Sequence, residues 1–317
     1  MKLADLILQT VPSLPTLLPD HLKTWTPGKT PLSTTPVVLS VMVGYLTLIF
    51  SIRAWMNATG RPPYVLNTLF RAHNIILSVG SGLLLVLMAE EIGPVVLKRG
   101  LRGAICDPEA WTPRMEFYYI INYFIKYYEL IDTVFLALKR KPLAFLHVFH
   151  HAATALLCFN QLNGRTSVSW TVITLNLFVH VIMYYYYYGT AGGRRFWWKQ
   201  HVTTLQISQF IIDLCIVYYA TFQLFSHRLH DRYNFLPATR DCAGTENAAI
   251  FGCGLLSSYL FLFIQFFIAT YLNKSKAKKA AGKAAANGHH HANGVANGTA
   301  KTNGHVANGN GVAKSGL

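Results

Sequence analysis

Apolar runs of about 20 residues recur along the chain, separated by short polar and often basic connections. Wound as helices, runs of that length match the roughly 30 Å hydrocarbon core of a bilayer. They fall at 36–55, 69–89, 115–138, 143–161, 168–188, 202–225 and 248–272, which predicts an all-α polytopic membrane protein with seven transmembrane helices. Residues 1–35 hold five prolines (Pro12, Pro15, Pro19, Pro27, Pro31) and apolar pieces too short to cross, so they read as a loose or interfacial segment. Residues 36–272 form the membrane domain. From 273 to 317 the chain is basic at first and then rich in Ala, Asn and Gly, a composition that buries no core and reads as a disordered tail.

The polar positions inside the runs are not scattered. His147, His150 and His151 stand at i, i+3 and i+4 in HVFHH, so their rings share one helix face. The third run places Lys126, Glu129 and Thr133 on one face with Asp132 beside it. In the fifth, Asn176, His180, Tyr184 and Tyr187 form a stripe, and in the sixth Thr203, Gln206, Gln209 and Asp213 do the same. His73 and Asn74 extend the set from the second run. An ionisable side chain at membrane depth costs about 2.5–3.5 kcal/mol on insertion scales, so four neighbouring polar stripes argue for an enclosed chamber. The plainer alternative, ion pairs and polar contacts that only fix helix packing, stays open for each stripe.

Composition sharpens the class. The chain has 317 residues, 52% hydrophobic and 13% charged, whereas a soluble domain carries about 25% charged residues. The net charge of +15 comes from short clusters between apolar runs, a pattern that suits anionic headgroups or a phosphorylated substrate and argues against nucleic acid. No cleavable signal peptide is visible, because Asp5 interrupts the only early apolar stretch. Sixteen Lys/Arg share a side with the C-terminal tail against eleven on the other, which favours a cytosolic C-terminus and a lumenal N-terminus. That topology puts Cys106 and Cys242 together on the lumenal side, where they can pair. Cys158, Cys215 and Cys253 read as small core residues.

Imidazole serves as general base or as acyl-accepting nucleophile, while Asn, Gln and Tyr stabilise an oxyanion. The clusters Lys139, Arg140, Lys141 and Arg194, Arg195, Lys199 suit phosphates. Together these point to acyl transfer from a phosphate-bearing carrier. Histidines at this spacing also ligate iron, so a membrane di-iron desaturase or hydroxylase is the main alternative, followed by a transporter or receptor.

KYYELIDT, HVFHH, NLFVHVIMYYYYY and TLQISQF, in this order on successive runs, resemble the ELO family of very-long-chain fatty-acid elongases, over about residues 73–271. TALLCFNQLNGRTSVSW and FWWKQHVTTLQISQF look most like its fungal branch for saturated and very long chains. The resemblance implies six helices in a barrel around a closed-ended acyl tunnel, in an endoplasmic-reticulum enzyme. It implies a 3-oxoacyl-CoA synthase that condenses acyl-CoA with malonyl-CoA, releases CO2 and CoA, and feeds very-long-chain fatty acids to sphingolipids. No cofactor or metal is implied. The implied partners are the two substrates, membrane lipid and the ketoacyl reductase, dehydratase and enoyl reductase of the cycle, with homo-oligomer formation open. His150 and His180 are then the candidate nucleophile and base, oriented by His147 and His151, with Asn176, Gln206 and Gln209 holding the oxyanion. Lys126, Glu129, Asp132, Tyr184, Tyr187 and Thr203 would shape the site, and the six basic residues would bind CoA phosphates.

Overall fold

The computed structural model describes residues 2–273, and among them every regular element is helical. The chain divides after Gln265 into two units, the second of which is described only to Asn273 and contains a π-helical stretch, Ile268–Leu272. The tail expected to be disordered therefore lies, from residue 274, outside the described residues.

Residues 2–34 carry three short helices, α1 (Leu3–Thr10), α2 (Leu14–Leu17) and α3 (Asp20–Lys23). Polar bonds tie this segment to later helices. Lys2 Nζ donates to Glu91 at 3.1 Å, the Leu3 amide to Glu90 at 2.7 Å, and the Trp25 amide to buried Glu116 at 2.7 Å.

Helix α4 (Thr35–Ala58) opens with Pro36 in its first turn, where proline costs no hydrogen bond. Val38, Met42, Tyr45 and Ile49 form its buried face, while Val37, Val43, Leu48 and Phe50 are exposed, as lipid-facing residues must be. Helix α5 (Asn67–Cys106) runs well past residue 89, where the second span is expected to end. Glu90 and Glu91 look like a polar boundary in the sequence, yet they receive Lys2, the Leu3 amide and the Thr112 hydroxyl, so the helix continues through them. It bends at Gly100, whose φ of 72° an L side chain rarely adopts.

The third run is split into α6 (Pro113–Glu129) and α7 (Ile131–Leu138) by a tight turn at Leu130. Thr112 caps α6, its hydroxyl accepting from the Met115 amide at 3.1 Å, with Pro113 in the first turn. Then come α8 (Phe145–Gly164), α9 (Ser169–Ala191), α10 (Lys199–Leu229) and α11 (Glu246–Phe267). Each apolar run is helical, and among the described residues four helices are by themselves long and apolar enough to cross a membrane: α4, α5, α10 and Glu246–Leu272. In α8 and α9 the histidines and tyrosines of the polar stripes dilute the apolar character.

Helices α5 and α9 make the most extensive pairing. A polar bond crosses the pairing, Ser78 donating to the Val181 carbonyl at 2.9 Å. A Cys106–Cys242 disulfide joins the end of α5 to the α10–α11 connection, closing a separation of 136 residues. The backbone is stitched at the same place, where the Ala243 amide donates to the Cys106 carbonyl at 2.8 Å.

Candidate active site

On either side of Leu130, Glu129 and Asp132 enter two different clusters. In the first, Lys126 Nζ donates to Glu129 Oε1 and to Asn176 Oδ1, each at 2.9 Å. His180 completes it, with Nδ1 3.2 Å from Glu129 Oε1 and Nε2 3.2 Å from Asn176 Nδ2. Lys126, Glu129 and His180 are all buried, so the cation offsets the carboxylate where water cannot. Asn176 and His180 meet because α9 keeps them one turn apart.

In the second cluster, Asp132 bonds to His73 Nε2 at 2.8 Å and receives the Tyr184 hydroxyl at 2.9 Å. His73 comes from α5, so this cluster locks α5, α7 and α9 together. Thr133 receives the Tyr45 hydroxyl at 2.8 Å, adding α4. The Tyr184 ring stands edge-on to His180 at 5.2 Å, joining the two clusters.

The HVFHH histidines stay together on α8: the rings of His147 and His151 are 4.4 Å apart and those of His150 and His151 5.8 Å. His150 turns into a different setting, against the rings of Tyr259 at 4.7 Å and Phe210 at 6.4 Å. Thr154 and Tyr259 both donate to its backbone carbonyl, at 2.6 and 3.3 Å. Among the described residues no three His, Cys, Asp or Glu side chains are grouped to hold a metal ion.

A cavity with almost wholly apolar walls starts here. His150, Lys126, Asn176, Gln209 and Tyr259 line one end, and Leu162, Thr166, Leu224 and Gly244 the other, beside the disulfide. From Gln209 to Leu224 is 15 residues of α10, about 22 Å by helical rise; from His150 to Leu162 on α8 it is about 18 Å. One leaflet of a bilayer core is only about 15 Å deep. The space among the lining residues, part of it open to the surroundings, amounts to about 1030 Å³.

The remaining expected residues divide. Gln209 lines the cavity and is held by buried Asp213, its amide donating at 2.9 Å. Gln206 instead donates to Met183 Sδ at 3.3 Å and does not line the cavity, and neither does Thr203, which is buried. Tyr187 packs on the rings of Tyr184 and Tyr186. Lys139 lies 3.8 Å over the Phe70 ring; its partial burial, with Lys141 nearby, lowers its pKa below the usual lysine range. Arg140 is committed to the α4–α5 connection, donating to the Arg61 carbonyl at 2.9 Å and to the Asn57 side-chain oxygen at 3.2 Å. Lys141, Arg194 and Arg195 are exposed, and Lys199 is half-buried at the start of α10.

Sequence reasoning missed Tyr259, Thr154, Phe210, Asn122 and Tyr119. They sit among ordinary apolar and aromatic neighbours, and only packing against α8 or the cavity marks them. Arg71 reads in the sequence as a loop charge, yet it lies over the Tyr188 ring at 4.6 Å and donates to its hydroxyl at 3.0 Å.

Fold and site define an all-helical, multi-pass membrane protein in which His150, Lys126 and the amides of Asn176 and Gln209 line one end of a long apolar cavity, with His147, His151 and His180 outside its lining. The chain belongs to the ELO family, described as the GNS1/SUR4 family, whose match covers residues 30–279. It is 52% identical to the putative fatty acid elongase 1 of Schizosaccharomyces pombe, over 81% of this chain and 77% of that one. The putative fatty acid elongase 2 of the same yeast is 40% identical over 82% and 69%. Fatty acid elongase A of Dictyostelium discoideum is 34% identical over 80% and 90%.

Proposed function

We propose that this protein is the condensing enzyme of fatty-acid elongation, joining a long-chain acyl-CoA to malonyl-CoA. One observation carries the reading: His150, Lys126 and Asn176 line the same end of an apolar cavity longer than a leaflet is deep. A fatty chain fills such a cavity and leaves its thioester beside His150.

The chemistry runs in two halves. A neutral imidazole of His150 or His180 attacks the thioester carbonyl, and the C–S bond breaks. The proton released by the imidazole passes to the departing CoA thiolate, leaving an acyl-imidazole. Malonyl-CoA then loses CO2, and the resulting enolate attacks the acyl carbon. The acyl C–N bond breaks with its electron pair returning to the imidazole nitrogen, which takes up a proton from solvent as the 3-oxoacyl-CoA departs. Amides near the reacting oxygen, from Asn176 and Gln209, stabilise its negative charge. The Lys126–Glu129 pair holds Asn176 and His180 in place, and His147 and His151 support the ring of His150.

In this reading the chain crosses the endoplasmic-reticulum membrane seven times, six of the helices surrounding the chain-binding tunnel, with the N-terminus lumenal and the C-terminus cytosolic. The CoA head sits at the cytosolic mouth near Lys139, Lys141, Arg194, Arg195 and Lys199. No metal or cofactor takes part, and the product passes to a reductase, a dehydratase and a second reductase of the same cycle. Microsomes carrying the protein, given isotope-labelled malonyl-CoA and saturated acyl-CoAs, test it. Labelled 3-oxoacyl product that persists with a chelator supports the reading; no product from inserted, folded protein contradicts it.

A further inference from the structure

The condensation gives no work to two polar groups in the cavity wall. Asn122 and Tyr119 are each 2% exposed, and both line the cavity. The Asn122 amide nitrogen donates to Cys158 Sγ at 3.6 Å, but among the described residues its Oδ1 has no partner, and neither has the Tyr119 hydroxyl. Buried polar groups are ordinarily paired, so two orphans on one wall of an apolar cavity point to something that enters it. They stand at i and i+3 on α6 and share a face.

Their depth is defined. Asn122 lies four residues from Lys126 and Tyr119 seven, roughly 6 and 10 Å farther from the histidine end by helical rise. The cavity continues beyond both, to Trp111 and Gly244. Whatever meets them therefore sits partway along a bound chain. It is neutral, because the Lys126 cation at the cavity is already paired with Glu129. It must also donate, because Asn122 Oδ1 only accepts, and of the neutral groups that a bound acyl chain can carry a hydroxyl is the smallest that both donates there and accepts from Tyr119.

We infer that the cavity takes acyl chains bearing a mid-chain hydroxyl, bound by Asn122 Oδ1 and the Tyr119 hydroxyl. The inference rests on the condensation reading above. The test uses the full-length protein in microsomes with octadecanoyl-CoA and a positional series of its monohydroxy derivatives. Condensation and displacement of a labelled acyl-CoA are both measured. Mid-chain hydroxyls are expected to be favoured roughly three- to tenfold over the 2-hydroxy and unsubstituted chains. Tyr119→Phe and Asn122→Leu should each collapse that ratio, and a mid-chain keto group, which cannot donate to Asn122, should not restore it. Condensation of every chain with no positional preference overturns the inference and leaves the condensation reading standing. A positional preference in displacement, with no product from any chain, keeps the inference and overturns that reading.

Discussion

Glu129 Oε1 lies 3.2 Å from His180 Nδ1 and 2.9 Å from Lys126 Nζ, so the carboxylate oxygen that accepts from the ammonium also stands within ion-pair distance of the imidazole. All three groups are buried, and removing one partner of such a pair leaves a bare charge, at about 3–5 kcal/mol. Lys126→Met and Glu129→Gln should each lower stability by about that much. The double variant should cost clearly less than the two together, because it strands no charge. A double-mutant cycle by thermal unfolding in detergent measures this; strict additivity would show that the pair does not couple.

The Cys106–Cys242 bridge closes 136 residues, and losing a bridge over so long a loop typically costs about 2–5 kcal/mol. Cys106→Ser and Cys242→Ser, singly or together, should all lower the melting temperature to the same extent as one another. Reductant should reproduce the shift in the parent and leave the double variant unmoved. Equal melting temperatures with and without reductant would mean that the bridge does not constrain the chain.

Arg140 and Lys139 are neighbours with different work. Arg140 holds the α4–α5 connection through the Arg61 carbonyl and Asn57. Arg140→Ala should therefore reduce stability by about 1–3 kcal/mol through those lost bonds, with KM for acyl-CoA unchanged. Lys139→Ala should raise KM severalfold with little effect on melting. Identical effects of the two substitutions would contradict this division.

Gly164 ends α8 where a methyl would come within 2.5 Å of the Ala248 Cβ. Gly164→Ala should push α8 from α11 at the disulfide end of the cavity and cost about 1–3 kcal/mol. Unchanged unfolding in that variant would show that the contact relaxes freely.

The polar stripes are legible in the sequence because helical spacing alone gathers His147, His150 and His151, or Asn176, His180 and Tyr184, on single faces. Which stripe meets which is not, since the packing that brings Glu129 to His180 and Asp132 to His73 leaves no mark in spacing. Helix extent is hidden at Glu90 and Glu91, where partners supplied by the N-terminal segment keep a polar pair inside a helix. Arg140 reads as one more cation in a basic run, and only the fold shows that its guanidinium is spent on a carbonyl. Tyr259 and Phe210 are ordinary aromatics of apolar spans until α8 packs beside them and brings His150 against their rings.

The proposed mechanism turns on an acyl group carried by histidine. The direct measurement is to mix the purified protein with acyl-CoA and no malonyl-CoA, then follow CoA thiol release and the mass of the α8 and α9 peptides. About one CoA should be released per protein, with an acyl adduct on His150 or His180 that is discharged when malonyl-CoA is added. Product formed in the full reaction, with neither CoA release nor adduct before malonyl-CoA arrives, would rule the acyl-imidazole out.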